Sequence, residues 1–174
     1  MIGPPLKVSF MNVLHLPESE IQNAIAKYRE YYADKGMFEV KAYDGVEELL
    51  KNLLAAGKKT FVATSKPDVY AEEILRRQGM LDLFTFIGGA DLAEKVRVNK
   101  VDVIKHVLST QNIENELDKC LMVGDRFYDI DGAKAVNMKS CGILWGFGDR
   151  QEMIDCKADF ICEKPSDVYR LICK

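Results

Sequence analysis

Near the middle of its second half the chain runs Cys120-Leu121-Met122-Val123-Gly124-Asp125-Arg126-Phe127-Tyr128-Asp129. A short apolar run closed by Gly-Asp reads as a buried strand and the turn at its carboxyl end. Residues 130–136 follow with helical spacing. Outward from there the same alternation recurs. Thr60-Phe61-Val62-Ala63 is a strand before a helix over 67–78, closed by Gly79. Residues 84–87 form a strand ending at Gly88-Gly89, and 101–108 a helix. Residues 141–144 are a strand, 152–156 a short helix, 160–161 a last strand, and Pro165 starts a terminal helix. Asp44-Gly45 opens a helix with Val46, Leu49, Leu50, Leu53 and Leu54 on one side, ended by Gly57. From residue 41 onward the expected class is therefore α/β: a parallel sheet covered by helices on both faces.

Residues 1–40 read differently. A helix over 4–14 begins at Pro4-Pro5, and a second starts at Pro17, with Glu18 and Glu20 favourable to its dipole. Ile21, Ile25, Tyr28 and Tyr32 recur as an apolar stripe, and Gly36 is the expected stop. The expected organisation is a helical piece over 1–40 and an α/β piece over 41–174.

Composition excludes several classes. Of 174 residues 48% are hydrophobic and 29% charged, which argues against disorder, collagen-like repeats and a coiled coil. No uncharged stretch is long enough to cross a bilayer, and no basic segment with an apolar core opens the chain. A net charge of −3 gives no electrostatic case for nucleic acid. Five cysteines without a CxxC pair point to reduced, mostly buried thiols and a cytoplasmic location. His15 and His106 lie in helical patterns and are expected to be structural. No GxGxxG follows a strand, and Gly146-Phe147-Gly148 lacks the third glycine, which argues against a dinucleotide site.

Ligands of open α/β sheets bind outside the carboxyl ends of the strands. Three such places carry polar residues. After the first strand come Thr64 and Ser65, with a hydroxyl and, just beyond, a helix N-terminus whose free amides would suit a phosphate. Lys100 stands at the entry to a helix, where its ammonium is a point charge for a phosphate. Asp125 and Asp129, one at a strand tip and one four residues on, make a natural magnesium site.

These pieces in this order resemble the later motifs of the haloacid dehalogenase superfamily, more narrowly its phosphoglycolate phosphatase-like branch. The segments carrying the resemblance are IGPPLKVSF, YDGVEELL, VATSKPDVYAEEIL, RVNKVDVI, MVGDRFYDIDGAK and GILWGFGDRQE. The resemblance implies a Rossmann-like three-layer core with a helical cap, residues 1–40 being the later part of that cap. Gly3-Pro4-Pro5 would be a cap loop facing the site. It also implies phosphomonoester hydrolysis through an aspartyl-phosphate, with Mg2+ as cofactor. By position, Thr64 and Lys100 are the catalytic residues. Thr64, Ser65 and Lys100 bind the phosphate, Asp125 holds magnesium, and Asp129 supports the site through hydrogen bonds to its neighbours. The expected partner is a small phosphorylated metabolite, with no nucleic acid and no membrane.

One departure is large. The family's first motif, a strand ending in Asp-x-Asp that supplies the nucleophile and the acid/base, has no counterpart before Glu18. Asp129-Ile130-Asp131-Gly132 is a decoy that reads as the tail of the Gly124-Asp125 motif. In the family the missing strand lies between those ending at Thr64 and Asp125. Leaving it out would expose two strand edges. The expectation is an inactive, N-terminally truncated phosphatase for a substrate such as 2-phosphoglycolate. A 5′-nucleotidase-type phosphatase and a non-catalytic remnant stand as alternatives.

Overall fold

The computed structural model describes residues 6–92 and 96–174. The Gly3-Pro4-Pro5 segment lies outside them. Helices α1 (Leu6–Asn12) and α2 (Glu18–Asp34) come first, then a single 3-10 turn at Gly36–Phe38. The rest alternates: α3 (Val46–Ala55), β1 (Phe61–Pro67), α4 (Asp68–Arg77), β2 (Phe86–Ala90) and α5 (Lys100–Thr110). It continues with β3 (Leu121–Gly124), α6 (Phe127–Ala135), β4 (Lys139–Ile143), α7 (Arg150–Asp155), β5 (Phe160–Cys162) and α8 (Pro165–Ile172).

All strand pairs are parallel, as the crossover helices require. They form two pieces, β1-β2 and β3-β4-β5, and β1 does not pair with β3 among the described residues. The alternation of side chains along β3 shows why three layers form. Leu121 and Val123 pack on one side with Leu49 and Leu53 of α3, Cys141, Cys162 and Val168. Cys120 and Met122 pack on the other with Ile104 and Leu108 of α5 and Ala133 of α6. Ala63 of β1 joins this second cluster, so α5 spans the break in the sheet. A smaller apolar cluster of Phe10, Ile21 and Ile25, with Tyr28 against it, closes α1 on α2.

Several expected boundaries shift for identifiable reasons. The second strand runs through Gly88 and Gly89 instead of ending there, because a Cβ at Gly88 would stand 2.3 Å from Val107 and one at Gly89 2.5 Å from the Asp68 nitrogen. These glycines admit close neighbours and do not make a turn. Helix α6 begins at Phe127, ahead of the expected residue 130, because the Asp129 carboxylate accepts the Arg126 N–H at 3.2 Å. Leu54 faces solvent, off the stripe formed by Leu49, Leu50 and Leu53. Gly36 starts the 3-10 turn after α2 has ended at Asp34. The five cysteines are free thiols, two of them buried, and burial pushes the Cys141 thiol well above its ordinary value.

Asp159 ties β4 to the start of β5, accepting from Lys139 Nζ at 2.9 Å and from the Ser140 N–H and hydroxyl at 2.9 and 3.0 Å. These donors hold its carboxyl down at about 2. A folded-state value below the unfolded one stabilises the protein above pH 4 and loses that contribution as pH falls towards 2. Asp159→Asn is therefore expected to lower the thermal midpoint at pH 7. The gap to wild type should narrow steadily in melts between pH 4 and pH 2.

Candidate active site

The site is built at the break between β1 and β3. Thr85 N–H donates to Thr60 O at 2.8 Å on the β2 side of the first strand. Carbonyls alternate along a strand, so those of Phe61 and Ala63 point the other way, into the break. A buried carbonyl needs a donor. Lys100 supplies it: its Nζ lies 2.7 Å from Ala63 O and 2.8 Å from Asp129 Oδ1. The pair is largely dry, with side-chain exposures of 13% and 11%.

Two glycines make this geometry possible. A Cβ at Gly124 would stand 2.3 Å from that of Asp129, so only glycine lets the first turn of α6 fold back over the strand tip. A Cβ at Gly132 would lie 2.8 Å from Lys100 Cγ and 2.9 Å from Ile104 Cδ1, so glycine opens the channel for the lysine stem. Asn99 caps α5 by accepting the Asp102 N–H at 3.0 Å, which fixes Lys100 as the first helical residue. The decoy Asp129-Ile130-Asp131-Gly132 is thereby accounted for on α6: Asp129 is ion-paired, Gly132 makes room, and Asp131 is exposed.

Asp125 follows β3 directly. Its Oδ2 accepts the Phe147 N–H at 2.9 Å, and its backbone carbonyl accepts from Gly148 N at 2.9 Å. Oδ1 has no hydrogen-bond partner among the described residues. Glu152 braces the same turn, taking Arg126 Nε and the Phe127 N–H at 2.8 Å each. That carboxylate also pushes the Arg126 guanidinium above its ordinary value. No group of three or more His, Cys, Asp or Glu side chains gathers as a metal cage among the described residues. Magnesium needs only one or two carboxylates beside water and phosphate oxygens, so Asp125 Oδ1 fits one position of such a shell.

Thr64 and Ser65 lie within β1, which runs on to Pro67 instead of ending at Ala63, and Thr64 Oγ1 accepts the Lys66 N–H at 3.1 Å. That leaves the hydroxyl proton to be donated elsewhere. The structure brings Lys100 and Asp129 together at the carbonyl of Ala63, the residue before Thr64. No hydrogen bond joins Ser65 to them. The expected free amides at the next helix need correction. Asp68, first residue of α4, takes the Val69 N–H at 2.8 Å, and its other oxygen takes Arg97 at 2.6 Å. A carboxylate on the helix dipole already occupies that end. Arg97 also donates to Gly89 O at 2.8 Å, anchoring the segment that leads into Lys100. Sequence reading missed the roles of Arg97 and Glu152. Their partners lie 29 and 26 residues away, and no spacing rule signals such pairs.

A family model described as haloacid dehalogenase-like hydrolase matches residues 1–143. A 5′-nucleotidase from Pseudomonas aeruginosa is 37% identical over 152 residues, covering 87% of the chain and 67% of that protein. The tyrosine-protein kinase PtkA of Mycobacterium tuberculosis is 36% identical over 155 residues, covering 89% of the chain and 51% of that protein. The chain thus spans about two thirds of the first relative's length and about half of the second's. The crystal structure of a predicted phosphatase from Clostridium acetobutylicum superposes with a TM-score of 0.91 at 39% identity, covering 98% of the chain and 77% of that structure.

Breaking the buried pair from either side strands a charge, at a cost of roughly 3–5 kcal/mol. Lys100→Met and Asp129→Asn should each lose about that much in urea denaturation. The double variant should lose clearly less than the sum, which a double-mutant cycle reads directly.

Proposed function

The chain belongs to the haloacid dehalogenase-like hydrolase family, and from that premise we propose that it carries the phosphoryl-holding part of a magnesium-dependent phosphomonoesterase. The observation that carries the reading is the donor count at Lys100. An ammonium has three N–H donors. Two are spent on Ala63 O and Asp129 Oδ1, and the third is left for a phosphoryl oxygen. The Thr64 hydroxyl, with its proton free, is the second donor. Both are held by packing before any ligand arrives, which is how charge developing on a transferring phosphoryl group is best met. Asp125 would hold magnesium through Oδ1. When bound, the ion neutralises phosphoryl charge and orients its oxygens. Asp129 fixes the direction of Lys100 and does not touch the substrate.

The substrate class is a small phosphomonoester such as 2-phosphoglycolate. A second reading, a nucleoside 5′-monophosphate, is favoured by the name and 37% identity of the Pseudomonas aeruginosa relative. The 174-residue chain is expected to hold a phosphate without turning it over. Asp129 is locked in its ion pair, and Asp131 faces solvent on a helix.

Titration calorimetry with inorganic phosphate and Mg2+ tests this. The chain should bind, and Thr64→Val should weaken binding roughly 10-fold, the worth of one hydrogen bond to a charged group. Turnover of p-nitrophenyl phosphate should be absent. Failure to bind phosphate overturns the proposal. Turnover abolished by Asp131→Asn overturns the view of that residue as a bystander.

A further inference from the structure

Two residues beyond Thr64, β1 carries a second cation with an unusual environment. Lys66 is half-buried, and its Nζ donates to the Tyr32 hydroxyl of α2. The same ammonium lies 4.4 Å from the centre of the Tyr32 ring. No carboxylate stands within ion-pair distance of it among the described residues. The other cations of this region are paired, Lys100 with Asp129, Arg97 with Asp68 and Arg126 with Glu152. A partly desolvated ammonium beside a neutral hydroxyl and a ring, with no carboxylate, is under-compensated. Burial accordingly pulls Lys66 below the ordinary lysine value.

Tyr32 is not a loose neighbour that happens to touch it. Its ring stacks on Tyr28 at 5.4 Å with an interplanar angle of 13°. On its other side Tyr70 of α4 meets it edge-on at 5.6 Å. Tyr28 in turn packs edge-on against Phe10 of α1 at 6.2 Å. An aromatic row therefore runs from the helical piece to the α/β piece and fixes the hydroxyl over Lys66. The Lys66 backbone N–H is the group that orients Thr64, so the two residues are coupled along one stretch of β1.

The geometry points to Lys66, held by Tyr32, as the specificity-determining cation for a second acidic group on the substrate, a carboxylate or phosphate beyond the scissile phosphoryl group. This rests on the phosphomonoesterase reading above and deepens it. Thr64 and Lys100 take the phosphoryl end. Lys66 takes the other end, on the side where Tyr32 of α2 meets the strand. An anion there completes the charge that the fold leaves unbalanced, whereas a neutral leaving group would bury Lys66 further without compensation. The Tyr32 hydroxyl, as a donor, adds a second hydrogen bond to the same anion.

Calorimetric binding to the chain with Mg2+ tests this with two probes, 2-phosphoglycolate, which carries a second acid, and ethyl phosphate, which does not. Wild type should bind 2-phosphoglycolate at least 10-fold tighter, the scale of a charge-assisted hydrogen bond. Lys66→Gln should remove that preference while changing ethyl phosphate affinity less than about 2-fold, and Lys66→Arg should keep much of it. Thermal melts of each variant separate loss of fold from loss of recognition. Equal wild-type affinities for the two probes overturn the assignment and leave the phosphomonoesterase reading intact. Equal weakening of both probes in Lys66→Gln also overturns it, placing Lys66 on the phosphoryl group. Binding of neither probe overturns both readings.

Discussion

The Lys100 ammonium joins two pieces of sheet that share no backbone ladder among the described residues. On one side it satisfies the outward carbonyl of Ala63 on β1, and on the other it pairs with Asp129 beside the tip of β3. A charge this dry is tolerated only when its partners are fixed. Much of the neighbourhood can be read as fixing them. Gly132 clears the path of the stem, Gly124 lets α6 turn back so that Asp129 arrives, and Asn99 sets where α5 begins. The apolar cluster of Ile104, Leu108, Ala133 and Met138 then carries α5 across the break.

From this constraint the candidate chemistry follows. The same ammonium that holds the two pieces together keeps one donor uncommitted among the described residues, and it does so at the carbonyl of Ala63, next to Thr64 in β1. Asp125 is held by a different loop, through Phe147 and Gly148, and keeps one carboxylate oxygen open among the described residues. Structure and proposed function thus meet in one side chain. Its positioning by Asp129 is a structural role that also sets the direction of the ammonium. The resemblance of the chain to a Pseudomonas aeruginosa 5′-nucleotidase and to a Clostridium acetobutylicum structure described as a predicted phosphatase supports that reading.

Much of this was legible from residue patterns. Apolar runs ending in polar residues located the strands, the tip of the third strand pointed to Asp125, and the helix entries beyond the strands pointed to Lys100 and Asp129. The alternation Cys120-Leu121-Met122-Val123 feeds both faces of the sheet, as a strand covered on two sides must. What stayed hidden was non-local. Gly88-Gly89 looked like a turn because glycine marks turns, and only the proximity of Val107 and Asp68 shows that close approach is the reason. That Asp68 takes the Val69 amide at the start of α4 and pairs with Arg97 is announced by no local pattern. Lys66 and Tyr32 lie 34 residues apart on different elements, and only the folded chain brings them together.

Thr64, Lys100 and Asp125 are proposed to gather around one phosphoryl group. The most direct measurement is a crystal structure of the chain grown with Mg2+ and tungstate, a phosphoryl mimic. The account predicts the anion within hydrogen-bond distance of the Thr64 hydroxyl and Lys100 Nζ, with the ion on Asp125 Oδ1. An anion bound elsewhere, with Lys100 still coordinated only by Ala63 O and Asp129, would contradict it.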